Sequence, residues 1–447
     1  MMRIPRLLAV LATLFLLVAC AATPPSAPEV KSAHGPKIEA WHTANGARVL
    51  YVNAPQLPMF DVQVVFDAGS ARDGDKPGLA SLVNGMLDQG AGEWDTDTIA
   101  ERFESVGANF SSSAGRDMAS VSLRSLTDPK WMEQAVATLQ AILEAPRFPQ
   151  KELERLRRQT LIAIKASEQS PSDIASKAFY RALYGEHPYA HPAIGTRASV
   201  KRITRDDLLA FHRRYYVANN ALVVIVGDLD RPAAEALAER LVGRLPTGEK
   251  ALALPDPAPV AQARTVRKAY PSTQTHIIVG QIGMRRGDPD YFPLYVGNHI
   301  LGGSGFSSRI LKIIRDQHGL AYSAYSYLVP MRAAGPFVMG LQTKNASREQ
   351  ALELLDETLR RFIAEGPTAK ELTHAQKNIT GGFPLRIDSN SDIAGYVAMI
   401  GFYDLPLDYL QTFNARIEAV TAEQIRDAFR RRIDPDRLVT VMVGKGL

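Results

Sequence analysis

The sequence predicts an α+β protein built from two tandem, homologous lobes that form a clamp. Three observations carry this prediction. First, the chain has 447 residues, 46% of them apolar and 22% charged, which is ordinary globular composition and length enough for several cores. Second, short segments recur in the same order. Lys151-Glu152-Leu153 returns as Lys370-Glu371-Leu372, and Ser172-Asp173-Ile174-Ala175 as Ser391-Asp392-Ile393-Ala394, both at an offset of 219. Ile203-Thr204 and Val224-Ile225-Val226-Gly227 return as Val420-Thr421 and Val441-Met442-Val443-Gly444 at an offset of 217. One order kept with almost one offset marks an internal repeat of about 210 residues. Third, residues 245–263 hold Pro246, Pro255, Pro257 and Pro259 and read as a linker between the copies. The lobes are therefore expected at 38–244 and 264–447, with a cleft between facing surfaces.

The first 20 residues read as a targeting segment. Arg3 and Arg6 precede an apolar run at 7–19, which is too short to span a bilayer. The run ends Leu17-Val18-Ala19-Cys20, which resembles the lipobox of bacterial lipoproteins. That resemblance implies cleavage before Cys20 and lipidation of its thiol. It also implies a periplasmic, membrane-anchored protein, and Ala21 in place of an acidic residue leans toward the outer membrane. Residues 21–37 carry Pro24, Pro25, Pro28 and Pro36 among small residues and read as a flexible tether. Cys20 is the only cysteine, so once it is lipidated the fold rests on its cores and not on a disulfide. Net charge is only +5 and the basic residues are scattered without interleaved aromatics, which argues against a nucleic-acid partner.

The elements follow in order. A strand-rich unit opens near Ile38, with Asn45-Gly46 as a hairpin signal before a strand at 47–52. Val62, Val64 and Phe66 alternate as one face of a buried strand. Residues 78–87 are helical and mostly apolar. Thr98-Ile99-Ala100-Glu101 fits a capping box, with Ile99, Phe103 and Val106 on one face and Gly107 as the stop. A strand follows at 120–126, then helices at 129–143 and about 150–168. In the second copy, 276–279 is a strand and 289–301 a helix in the place of 78–87.

Residues 302–322, GGSGFSSRILKIIRDQHGLAY, stand out. Ile310, Leu311 and Ile314 recur at helical spacing, Arg315 lies at the polar edge, and Gly319 is placed to end the helix. Tyr322 follows at the start of an expected strand. A cation and a hydroxyl held by one helix-to-strand turn suit gripping a peptide carbonyl or a developing oxyanion.

The architecture and several motifs resemble the pitrilysin/insulinase family of zinc peptidases across nearly all of 38–447. The resemblance rests on Asp67-Ala68-Gly69-Ser70 before Gly78-Leu79-Ala80, on His187-Pro188-Tyr189 with Pro192-Ala193-Ile194-Gly195-Thr196, and on 302–322. Active members carry H-x-x-E-H after the Gly-Leu-Ala, two imidazoles for zinc and a glutamate that polarises water. Here Ser81 and Gly85 stand at the histidine positions and Asn84 at the glutamate position. Serine is a poor zinc ligand, glycine has no side chain, and asparagine cannot accept a proton. Glu154, or Glu152, matches the third ligand in type, but alone would hold zinc very weakly. No metal is therefore expected in this chain.

The resemblance also implies that Arg315 and Tyr322, seven apart in their Gly-Leu-Ala-Tyr context, position the scissile carbonyl and stabilise the tetrahedral intermediate. Some bacterial members divide the site between two chains. The expectation is thus a non-catalytic subunit of a heterodimeric envelope peptidase, whose partner supplies zinc and the general base. Gly302, Gly303, Ser304 and Gly305 would let the backbone approach a peptide, which would add as a strand to an exposed sheet edge. The rival readings are a structural or assembly scaffold and a stand-alone peptide-binding lipoprotein. Of the nine histidines only His187 and His191 lie four apart, and Pro188 and Pro192 directly after them disfavour a helix. That pair is the leading alternative metal site. Ser304 lacks the G-x-S-x-G elbow of a serine hydrolase.

Overall fold

A computed structural model describes residues 35–447. The leader, Cys20 and the tether up to residue 34 lie outside the described residues. The first repeat contains β1 (Glu39–His42), β2 (Arg48–Asn53), β3 (Met59–Phe66), α1 (Leu79–Gly85), α2 (Thr96–Glu104), β4 (Asn109–Ala114) and β5 (Ala119–Leu126). It continues with α3 (Pro129–Glu144), α4 (Gln150–Ser167), α5 (Pro171–Tyr184), α6 (Arg197–Arg202), α7 (Arg205–Tyr215), β6 (Ala221–Gly227) and α8 (Arg231–Val242). The second contains β7 (Arg264–Ala269), β8 (Gln274–Ile282), α9 (Tyr291–Asn298), α10 (Arg309–Leu311), β9 (Ala324–Leu328) and β10 (Pro336–Lys344). After these come α11 (Arg348–Glu365), α12 (Ala369–Gly382), α13 (Asn390–Phe402), α14 (Tyr409–Glu418), α15 (Ala422–Arg432) and β11 (Val439–Gly444).

The repeat is visible in the topology. One sheet runs β1-β2-β6-β3-β5-β4 and the other β7-β11-β8-β10-β9, so the second reproduces the first without β1. In both, the last strand of the repeat pairs parallel to its first shared strand and antiparallel to the next. The caps repeat too. Ser170 and Ser389 each accept from a backbone N–H three residues on, at the starts of α5 and α13. Thr204 and Thr421 form capping boxes at α7 and α15.

The two lobes clasp each other by exchanging a helix. α5 of the first repeat packs on β7, β8 and β11, and α13 of the second packs on β2, β3 and β6. Strand periodicity makes this possible. Every residue of β6 is buried, with Val223 and Ile225 entering its own lobe's core while Leu222, Val224 and Val226 join the core that contains Val397 and Ile400 of α13. On β11, Val439, Val441 and Val443 meet Phe179 and Leu183 of α5, while Met442 faces the other way. Glycine permits the close approach: a Cβ on Gly401 of α13 would lie 2.6 Å from Leu50 Cδ1 and 2.7 Å from Leu222 Cδ2. Burial of Phe179 alone is worth about 2–3 kcal/mol.

A buried carboxylate ties the lobes as well. Asp117, in the β4–β5 turn, accepts from the Tyr189 hydroxyl on one oxygen. Its other oxygen accepts from the Arg332 backbone N–H at 2.8 Å and the Tyr403 hydroxyl at 2.9 Å. Residues 246–263 have no regular structure and lie across the surface, as the prolines predict. They are tied down where Arg72 donates to the Leu252 carbonyl (2.7 Å) and the Asn220 side chain accepts from the Ala251 N–H (3.1 Å).

Three local expectations are corrected. The helix assigned to a Thr98 capping box begins at Thr96, because Asp95 caps it by accepting from the Thr98 N–H at 2.9 Å; aspartate is the stronger cap. β4, Asn-Phe-Ser-Ser-Ser-Ala, escaped the sequence reading because it is a sheet edge with few apolar residues to show alternation. The strand expected at Tyr322 begins at Ala324, leaving Tyr322 in the preceding loop.

Candidate functional site

The Arg315 segment is built from its N-terminal side. Ser308 caps α10, its Oγ accepting from the Leu311 N–H and donating to the Gly305 carbonyl at 2.8 Å. Ile310, Leu311 and Ile314 are buried, as their spacing predicts. The expected single amphipathic helix is instead a short α-turn that widens to a π-helical stretch over Lys312–Gln317, and Gly319 closes it at φ +63°. Arg309 fastens the segment to α12 through two 2.7 Å bonds to Glu371. Those bonds, with Thr368 donors, hold the Glu371 carboxyl down to about 2 despite its partial burial.

Arg315 and Tyr322 are brought together. The guanidinium carbon lies 5.1 Å from the Tyr322 ring centroid and 4.9 Å from that of Phe306, so the cation is held between two aromatic faces. Tyr322 is 83% exposed and Phe306 76%. Leaving two large aromatics in water while they hold a cation is unusual for a monomer surface. Phe306 was not singled out from sequence. The signal available was an aromatic inside a Gly-Ser loop, where nothing in the loop could bury it. Beyond Tyr322, edge strand β9 turns Tyr325 and Tyr327 outward, stacked 5.6 Å apart.

The glycine loop divides in two. Gly302 is buried, and a Cβ there would lie 2.3 Å from the Ser326 N, so it serves packing against β9 and does not face a peptide. A Cβ on Gly303 would press on the Asn298 amide at 2.9 Å, although the residue itself is exposed. Gly305 is exposed, open on its side-chain side and left-handed at φ +61°. The Ser304 hydroxyl accepts from Ser307 at 2.9 Å.

The degenerate metal positions do not fit zinc. Asn84 is buried and its amide donates to the Ser120 carbonyl at 3.2 Å. A side chain at Gly85 would press on Leu156, whose Cδ2 would lie 3.2 Å from a Cβ there. Ser81 is half-buried. Glu154 accepts from Gln150 (2.9 Å) and Arg157 (3.1 Å), and Glu152 pairs with Arg155 at 2.6 Å. Among the described residues no three His, Cys, Asp or Glu side chains are placed to hold an ion together. The His187–His191 pair is not a metal site either. Nδ1 of His187 accepts from the Tyr189 N–H (3.1 Å) and Nε2 donates to the Pro255 carbonyl (3.0 Å), which uses both ring nitrogens. His191 Nδ1 lies 3.9 Å from Asp73. Asp73 accepts from the Gly78 and Ala80 N–H groups at 2.7 Å and so caps α1. Burial raises its carboxyl to about 7, against the pull of those two donors.

Comparison with known proteins agrees with this arrangement. Residues 48–197 match the family described as insulinase, peptidase family M16, and residues 202–379 match the peptidase M16 inactive domain. A crystal structure described as a peptidase M16 inactive domain from Pseudomonas fluorescens is 39% identical, covers 92% of this chain and 98% of its own, and superposes with a TM-score of 0.89. The Helicobacter pylori protein named non-peptidase homolog YmxG is 27% identical over 400 residues, 88% of this chain and 91% of its own. A mitochondrial-processing peptidase subunit beta from Lentinula edodes is 25% identical over 380 residues, 80% of each chain.

Proposed function

The chain belongs to the M16, insulinase-type peptidase family, and from that premise we propose that it is a non-catalytic subunit completing the site of a zinc-bearing homologous partner. One observation carries the proposal. The metal helix carries neither the ligands nor the base, with Leu156 packed close at Gly85, while the Arg315–Tyr322 pair is intact, its segment is anchored through Arg309, and Tyr322 is turned to solvent. The partner would supply zinc and a general base. This chain would supply the guanidinium and phenol to hold the peptide carbonyl and its developing oxyanion, with Phe306 keeping the guanidinium in place. The Gly303–Gly305 turn and the β9 edge would receive peptide backbone. The N-terminal sequence supports placing this assembly in the periplasm, anchored through lipidated Cys20 and facing from the outer membrane.

The test is co-purification with a zinc-bearing relative, metal analysis of each separated chain, and peptide cleavage by each chain and by the pair. Cleavage is expected from the pair only. Arg315→Ala and Tyr322→Phe are each expected to lower kcat by about 100-fold or more, the usual cost of losing an oxyanion donor. Activity of the lone chain that survives both substitutions would overturn the proposal. A second reading, an assembly scaffold, draws on the same exposed Phe306–Arg315–Tyr322 stack, since aromatics and arginine also suit a protein interface. Under that reading Tyr322→Phe leaves a partner's turnover unchanged.

A further inference from the structure

A cavity in the second repeat, lined by no residue of 302–322, has the chemistry of a ligand site. It holds about 400 Å³, within the range of small-molecule pockets, and lies between α9, α13, α14 and the turn at Pro384–Arg386. Its walls are aromatic and apolar: Tyr295, Tyr396, Tyr409, Phe413 and Met399. Two arginines reach it. Arg386 donates to the Tyr295 hydroxyl at 2.9 Å, and Arg286 sits with its guanidinium carbon 5.6 Å from the Tyr291 ring centroid and 5.7 Å from that of Tyr403. The Arg286 Nε is buried and has no hydrogen-bond partner.

Among the described residues neither arginine has a carboxylate within 4.0 Å. The acids closest in sequence to Arg286 are committed elsewhere, Asp288 to Arg432 and Asp290 to Arg431 and Arg432, and Asp388 makes no ion pair with Arg386. Asp392 lines the cavity, but its carboxylate accepts from the Ser389 hydroxyl. Burial pushes the Tyr291 and Tyr409 hydroxyls up, so they stay neutral and supply no anion. A buried donor left unpaired costs free energy, and the unpaired Arg286 Nε beside two tyrosine rings, together with the exposed Arg386 guanidinium, is a prepared receptor for an anion.

We propose that this cavity binds a carboxylate carried on an aromatic or apolar body. The guanidiniums take the carboxylate and the tyrosine and phenylalanine faces take the body. Such a group comes either from the C-terminus of a peptide or from a free organic acid. The proposal is independent of the partnership suggested for Arg315.

The test is calorimetric titration of the whole protein with N-acetyl-glycyl-phenylalanine, with its C-terminal amide, with 3-phenylpropionate and with inorganic phosphate. The acids are expected to bind at least about 10-fold more tightly than the amide, because the amide leaves the charged donors unmatched. Peptide acid much tighter than phenylpropionate points to a peptide terminus as the source, and equal affinity to a free acid. Arg386→Gln, at an exposed position that leaves folding intact, is expected to weaken acid binding by about 10-fold, and Arg286→Gln by more. Equal affinity for acid and amide, binding of phosphate as tight as of either acid, no binding of either acid at millimolar concentration, or an unchanged affinity in Arg386→Gln would each overturn it.

Discussion

The Tyr403 hydroxyl donates to Asp117 Oδ2 at 2.9 Å across 286 positions of sequence. Asp117 belongs to the β4–β5 turn of the first repeat and Tyr403 to the end of α13 in the second. The same carboxylate accepts from Tyr189, and the Tyr189 oxygen accepts in turn from the Ala333 N–H at 3.1 Å. The junction between lobes therefore contains a buried polar network beside its apolar contacts.

Asp117→Ala leaves two hydroxyls and a backbone N–H without an acceptor in the interior. It is expected to lower stability by about 3 kcal/mol, measured by urea unfolding. Tyr403→Phe removes one bond and leaves the carboxylate two donors, so about 1 kcal/mol is expected.

Phe179→Ala opens a cavity between α5 and the second sheet, a cost of about 3–5 kcal/mol. Because that helix belongs to the first repeat, both lobes are expected to lose structure in one transition. Two resolved melting steps, with only the second lobe shifted, would count against the exchange as the unit of stability.

Arg315→Ala and Tyr322→Phe touch an exposed stack and no core. Their stability is expected to stay within about 0.5 kcal/mol of the parent by urea unfolding. A loss of partner-dependent turnover in those variants then reports chemistry and not misfolding.

Two buried groups oppose each other in pH dependence. Asp73 is raised to about 7 by burial, so between about pH 4 and 7 the folded state keeps a proton that the unfolded chain releases, and stability falls as pH rises. His212 is lowered to about 4 by burial, so between pH 4 and its ordinary 6.5 the unfolded chain takes the proton, and stability rises with pH. Each slope approaches about 1.4 kcal/mol per pH unit, and from pH 4 to 6.5 they largely cancel. Asp73→Asn is expected to expose the rising slope and His212→Phe the falling one, in urea titrations at stepped pH.

Most of the architecture was legible because its signals are local or repetitive. Ser172–Ala175 and Ser391–Ala394 announce the duplication because both lie in the first turns of helices capped by equivalent serines, Ser170 and Ser389. Val62, Val64 and Phe66 show their strand because alternate residues of a strand face one core, here that of their own lobe. The pairing of Arg315 with Tyr322 was readable because one turn fixes both. The Asp117 network and the destination of α5 were not readable, since each depends on contacts made across the two repeats. The π-widened turn at Lys312–Gln317 was also hidden, because its apolar residues keep ordinary helical spacing.

The reciprocal placement of α5 and α13 is the geometry of a domain-swapped pair of protomers fused end to end. A polypeptide stopping near residue 244 would carry a sheet face shaped for a helix it does not own, and a helix with no sheet to cover. Its own twin offers both, so such a half is expected to assemble as a twofold dimer. Proteolytic nicking anywhere in 246–263 should leave two pieces that travel as one particle until denaturant parts them.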